Sequence, residues 1–447
     1  MEPMRRTFRD SLFRRLPLAG LLALAFFLLA SLSSSAQTTP APATANLPAG
    51  LPDVLTMPDG AKVTTPAEWQ KARAGWQKFF TEQMYGQAPA VPKSMRFVVV
   101  DDTPNALAGL ATRKQVTILL NGDPAGPAIH LLLYIPDNVR RPPVILGLNF
   151  WGNQAVNADP GIVISQNWVE SARNPWADLS CVQDHRATPA CRGVNASQWP
   201  VETILARGYA LATAYRGDVD PDTKDGYAGS LRAAYPELQN RADNFSTIGA
   251  WAWALSRIMD YLETDSDLDA SRVAVFGWSR LGKAALWAGA TDQRFAMVIS
   301  TESGAGGAKL FRRDVGETIL QLNTHFPYWY CTNFKQYNGR DSTLPFDQHM
   351  VIAMIAPRPV YISSAVENAG ADPEGEFLAA LAADPVYRLL GTDGLPTAEW
   401  PPANHPVAGR IGYHVRSGGH DVTQYDWEQF LNFADMHFKS ADRPAVR

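Results

Sequence analysis

Cysteine is scarce: Cys181, Cys191 and Cys331 are the only three in 447 residues. That number cannot staple a small disulfide scaffold, and no Cys/His spacing matches a zinc site. Excess charge of one sign is also missing. Lys and Arg total 40 against 44 Asp and Glu, a formal net charge of −4 without a dominant basic patch, which argues against nucleic acid as a partner. Past residue 36 no stretch approaches the roughly 20 apolar residues that span a bilayer. The 33 Gly and 33 Pro follow no fixed period, so fibrous and collagen-like chains are excluded, and no internal repeat is visible.

Apolar material is plentiful. Hydrophobic residues make up 46% and charged residues 19%, enough for a large core and too apolar for global disorder. The 13 Trp and 14 Tyr suit that core and stacking on sugar rings equally well. Residues 1–36 read as an export signal. Arg5, Arg6, Arg9, Arg14 and Arg15 precede an apolar run from Leu16 to Leu32, and Ser34-Ser35-Ala36 offers a small-residue cleavage site before Gln37. The expected mature protein is soluble, and secreted or periplasmic. In such an oxidising compartment Cys181 and Cys191 are close enough in sequence to pair, leaving Cys331 as a buried thiol.

Residues 37–51 (QTTPAPATANLPAGL) read as a disordered linker. Thr65-Pro66-Ala67-Glu68 then supplies a capping box with Pro in the first turn, opening a helix to about Gln83. Beyond it, short aliphatic runs alternate with helical stretches. Strands are expected at 96–100, 129–135, 144–149, 209–214, 273–276, 297–301, 359–363 and 411–415; helices at 245–263, 283–290, 377–381 and 422–438. Several runs are apolar throughout, as in central strands covered on both faces. The pattern predicts one α/β domain over 52–447, a mostly parallel sheet in a three-layer α/β/α sandwich, with an insertion around 150–206.

Chemistry concentrates in Gly277-Trp278-Ser279-Arg280-Leu281-Gly282-Lys283. It follows a strand and opens an Ala-rich helix, the setting of a nucleophile elbow, which exposes a serine hydroxyl at a helix N-terminus. The second glycine stands three residues after the serine instead of the usual two. A serine in that place otherwise serves as a helix cap. An attacking Ser279 needs a base, and chain order in this fold is Ser, acid, His. Of eight His, His420 in Ser417-Gly418-Gly419-His420-Asp421 directly follows the last strand and precedes the last helix. For the acid there are two candidates: Glu302, after the strand next to the elbow, and Glu367, after the following strand. Topology alone leans to Glu367.

The set Gly-x-Ser-Arg-x-Gly-Lys, with Glu302 in Glu-Ser-Gly-Ala-Gly-Gly, Leu344-Pro345-Phe346-Asp347-Gln348-His349, Ala356-Pro357-Arg358-Pro359 and a late Gly-His, resembles the glucuronoyl esterases of carbohydrate esterase family 15 over roughly residues 60–440. The resemblance implies an α/β-hydrolase fold and a cofactor-independent, monomeric serine esterase. Its substrates would be esters of (4-O-methyl-)glucuronic acid that join glucuronoxylan to lignin alcohols. By motif position, Ser279 is the nucleophile, His420 the base, Glu302 the acid (Glu367 standing as a substitute), and Arg280 an oxyanion partner. Lys283 and Glu317 bind sugar hydroxyls. Two cations at a helix N-terminus are electrostatically unfavourable, which itself points to use. Trp278 departs from a smaller or polar residue. Asn368 and Gly370 stand where bacterial members often carry Asp and then Trp, so Trp151 or the Cys181–Cys191 segment is expected to supply the missing ring. Other outcomes for this fold are another carbohydrate esterase, such as an acetyl xylan esterase, or a non-catalytic carbohydrate-binding protein.

Overall fold

The computed structural model describes residues 46–57, 59–171 and 175–439. The signal over 1–36 and most of the linker lie outside them. The linker's last residues, 46–51, are held rather than loose: Leu51 N–H bonds Pro48 O at 3.2 Å, and Arg312 Nη1 donates to Gly50 O at 2.5 Å. Helix α1 (Pro66–Phe80) starts at the expected capping box, with Thr65 and Glu68 bonded reciprocally, and passes into a π turn over Thr81–Tyr85.

Ten strands form one sheet: β1 (Arg96–Asn105), β2 (Ala111–Leu119), β3 (Ala128–Pro136), β4 (Val144–Asn149), β5 (Ala210–Tyr215), β6 (Val273–Trp278), β7 (Met297–Thr301), β8 (Val360–Ala365), β9 (Val407–Ala408) and β10 (Ile411–Arg416). Their order is β1-β2-β3-β5-β4-β6-β7-β8-β10-β9. The centre, from β5 to β10, is parallel; β1, β2, β3 and β9 pair antiparallel at the edges. This is the expected α/β-hydrolase sheet.

Central strands are apolar on both sides because both faces are covered. In β6, Val273 and Val275 enter one core while Ala274, Phe276 and Trp278 enter the other. The first core packs α1, α3 (Thr247–Leu262), α4 (Arg280–Thr291) and α5 (Pro373–Leu389). The second packs α2 (Val201–Ala206) and α6 (Gln424–Ala434), with Trp199, Trp427 and Phe430 between them and the sheet. The helices among the described residues of 150–200 are short 3₁₀ turns, and Cys181 and Cys191 are disulfide-bonded there, Cα to Cα 5.2 Å. Cys331 is buried, and burial pushes its thiol up to about 11.

Several elements depart from expectation, among them β2 and α5. β2 is not legible as a strand because Arg113, Lys114 and Gln115 break its apolar run. They are nonetheless buried, because Arg113 pairs with Asp101 (2.7 Å) and Asp159 (2.8 Å), Lys114 with Asp265 (2.8 Å), and Gln115 bonds Asp101 (3.0 Å). The expected helix at 377–381 extends over Pro373–Leu389, running through Pro385.

Candidate active site

At the carboxyl end of β6 the chain turns sharply through Ser279, at φ +57° and ψ −129°, into α4. A non-glycine residue at such angles costs of order 1–3 kcal/mol and survives only where its surroundings enforce it. Two glycines make the turn possible. A Cβ on Gly277 would lie 2.0 Å from Leu281 O, and one on Gly282 would lie 3.0 Å from both Gly277 O and the Ser303 Cβ. The second glycine therefore stands three residues on because α4 leans there on the segment leaving β7.

Ser279 Oγ lies 3.1 Å from His420 Nε2, and His420 Nδ1 lies 2.9 Å from Glu302 Oε2. Each comes from the exit of a different sheet strand: β6, β10 and β7. Glu302 has its own positive φ of +48° and is buried. Its carboxylate is closely held. Oε1 accepts from Arg416 Nη2 (2.6 Å) and Asp421 N–H (3.3 Å), and Oε2 from Asn368 Nδ2 (2.8 Å). Glu367, the other candidate acid, is exposed, and among the described residues its carboxylate bonds nothing. The turn after β8 reaches the imidazole through Asn368 instead, whose Nδ2 lies 2.8 Å from His420 Nδ1.

Arg280 opens α4. Its backbone N–H is at the first helical position, where no intrahelical acceptor exists. Its guanidinium lies over the Trp329 ring at 4.9 Å and is tied to Asp222 at 2.5 Å, with Arg216 on the same carboxylate at 2.9 Å and Trp329 Nε1 at 2.7 Å. Burial alone would push Asp222 up, but the Arg280 and Arg216 charges outweigh it and hold Asp222 below the ordinary carboxylate range. Lys283, one turn along α4, is 3% exposed, and its ammonium donates to Ser303 O and Ala305 O, both at 2.6 Å. Burial brings it down to about 8, against the opposing charge of Glu317. Glu317 is half-buried, with its carboxylate oxygen near Gly304.

Trp151, at 3% exposure, packs in the second core beside Phe150. Another ring of the insertion approaches the imidazole. Trp176 stands edge-on to His420, centroids 5.4 Å apart, and its Nε1 donates to His420 O at 2.5 Å. Trp278 flanks the imidazole from below at 4.8 Å. Arg416, Asp222 and Trp176 escaped sequence reasoning because each acts across more than 50 residues; a positive φ at Glu302 was equally invisible.

Beneath the loop after Glu302 lies the buried Glu376. It accepts from Gly304 N–H (2.8 Å), Ser303 Oγ (3.3 Å) and Ser364 Oγ (2.6 Å). Burial raises its carboxyl to about 8 despite those donors. Between the ordinary value near 4.5 and 8, the fold thus keeps a proton that the unfolded chain has shed, so stability declines as pH rises through that window. Glu376→Gln removes the titration and keeps the shape. Calorimetry from pH 5 to 7.5 should show wild-type Tm falling relative to the variant, by up to a few kcal/mol of stability; parallel pH profiles would refute the assignment.

A family profile described as "Glucuronyl esterase, fungi" matches residues 178–391. A carbohydrate esterase from an unknown prokaryotic organism is 46% identical over 391 residues, 87% of this chain and 89% of its own. Among solved structures, a promiscuous esterase of carbohydrate esterase family 15 from a marine bacterial metagenome aligns with a TM-score of 0.81 at 46% identity, covering 89% of this chain and 99% of that one. A glucuronoyl esterase from Solibacter usitatus aligns with a TM-score of 0.82 at 43% identity over 88% and 99%.

Proposed function

Because the chain belongs to the glucuronoyl esterases of carbohydrate esterase family 15, an α/β-hydrolase family of carboxylic ester hydrolases, we propose that it cleaves esters of (4-O-methyl-)D-glucuronic acid through a Ser279–His420–Glu302 acyl-enzyme. The natural bond is the one joining glucuronoxylan side chains to lignin alcohols. The observation that carries the mechanism is the hydrogen-bonded line from Ser279 Oγ through His420 to Glu302, at 3.1 and 2.9 Å, on a strained turn.

Ser279 Oγ attacks the C6 carbonyl carbon while His420 Nε2 takes the hydroxyl proton. Glu302 faces the imidazolium that forms and fixes its Nδ1–H tautomer. The oxyanion is met by the unpaired N–H of Arg280 and by its guanidinium, which Asp222 and the Trp329 ring hold in place. Collapse expels the alcohol with the proton from Nε2. Water then attacks the glucuronoyl ester, giving its proton to Nε2, and Ser279 is restored as the acid leaves. Lys283, with one N–H uncommitted, and Glu317 take sugar hydroxyls. Trp176 supplies the ring beside the base.

The same reading takes 1–36 as a leader removed on export, with the rest working as a monomer in an oxidising compartment. The Cys181–Cys191 bond supports this. Among the described residues no helix is long and apolar enough to cross a membrane.

The test is kcat/KM on benzyl glucuronate against an acetylated xylose. A site built to hydrogen-bond the uronate ring should favour the glucuronate by roughly 100-fold or more. Equal rates, or preference for the acetyl ester, would replace this reading with that of an acetyl xylan esterase.

A further inference from the structure

The hydrogen-bonded line does not stop at Glu302. Tyr361 OH meets His414 Nδ1 at 3.0 Å, and His414 Nε2 meets Asp426 Oδ1 at 2.9 Å. Arg416 Nε donates to Asp426 Oδ2 at 2.8 Å, and Arg416 Nη2 to Glu302 Oε1 at 2.6 Å. The line thus runs unbroken from the sheet interior to Ser279. All four added side chains are buried.

Arg416 is its hub. Besides the two carboxylates, its guanidinium donates to Ser417 O (3.0 Å), Gly419 O (2.9 Å) and Asp421 O (2.6 Å). Those carbonyls bracket His420 on both sides, in a segment with two consecutive glycines and no regular secondary structure of its own. One planar fork therefore sets the position of the acid and the path of the loop that carries the base. No ammonium could bridge all five acceptors.

We infer that Arg416 is a positioning residue for ester hydrolysis: it locks Glu302 and the His420 loop in one register, with its charge set against the Glu302 carboxylate. Asp426 and His414 anchor the guanidinium from behind. The inference rests on the Ser279–His420–Glu302 reading. Without the Arg416 charge, a buried carboxylate beside the imidazole would draw a proton onto the pair at higher pH. The other ionisable groups around the pair are Asp426 and His414 behind Arg416, Asp421 next to His420, Glu376 under the turn after Glu302, and Arg280 and Lys283 on α4.

The experiment is the pH profile of kcat/KM on benzyl glucuronate for wild type, Arg416→Lys and Arg416→Met, with NMR titration of the His420 imidazole in the same proteins. Arg416→Lys keeps charge and loses the fork: kcat should fall on the order of 10- to 100-fold, as for other groups that orient a reacting side chain, with KM within about twofold and the acid limb in place. Arg416→Met should move the acid limb, and the NMR titration of the pair, up by about one pH unit or more. If Arg416→Met fails to fold, the kcat-against-KM split in Arg416→Lys decides. Wild-type kcat in Arg416→Lys, or an unmoved acid limb in a folded Arg416→Met, overturns the inference. Activity surviving in Ser279→Ala would instead overturn the triad reading itself, and the NMR titration needs no substrate.

Discussion

Ser279→Ala should lower kcat on benzyl glucuronate by roughly 10³- to 10⁶-fold while leaving KM within about twofold. The size follows from what the substitution removes and what it leaves. The oxygen that forms the covalent intermediate, 3.1 Å from His420 Nε2, is gone. The turn is not: its geometry is set by Gly277 and Gly282, and alanine keeps the Cβ that serine already carries at φ +57°. In the proposed mechanism Arg280 and Lys283 would still bind the ester, so ground-state affinity would persist, and the oxyanion donors would sustain a residual rate above water. His420→Ala should cost about as much, and the double variant should be little worse than either single, because the two groups act in one proton transfer. Circular dichroism and Tm close to wild type would establish that the loss is chemical. Retention of more than a tenth of the activity would remove Ser279 from the reaction.

Glu302→Gln comes next, with an expected loss of roughly 10²- to 10⁴-fold in kcat, against no measurable change for Glu367→Gln. The amide is isosteric, but it reverses one hydrogen bond in a site where Arg416, Asn368, His420 and the Asp421 N–H all donate to the carboxylate. Whichever way it turns, a donor meets a donor. The imidazole then loses the anion that selects its tautomer and balances its charge during attack. Glu367 lies in solvent at the next strand exit, and its replacement perturbs only water. The pair of variants, assayed side by side on one ester, separates the two candidate acids; a loss confined to Glu367→Gln would reverse the assignment.

Chain order could not make that choice. Both glutamates end a parallel strand, and both lie between the nucleophile and the base. What distinguishes them is backbone: Glu302 adopts φ +48°, its N–H bonds Ser363 O across to β8, and the side chain enters the site from beneath. Features governed by local residues were readable, among them the capping box of α1, the fully apolar central strands and the glycine-flanked elbow. Features governed by distant partners were not. β2 looked too polar for a buried strand until Asp101, Asp159 and Asp265 were seen to pair with its cations. The helix expected at 377–381 runs on through Pro385, where only one backbone bond is forfeited and the surrounding side chains of α5 are buried on both sides of it. Trp151 stood beside the Cys181–Cys191 segment as an expected source of a ring; the first turns after β4 bury it, and Trp176 is the ring of the insertion that stands beside His420.

The two tight glycines have a bearing on redesign. At Gly277 the neighbouring backbone leaves no room for even a methyl group, and at Gly282 one would press on Gly277 O and the Ser303 Cβ at 3.0 Å, so varying these two positions strains the elbow. Trp176 is different in kind. It belongs to a segment of short turns that precedes the Cys181–Cys191 loop, outside the sheet that fixes the reacting atoms. Its contact with the His420 loop ties it to the base, so an engineer seeking new ester preferences has freedom to move at the insertion positions around it that do not touch His420.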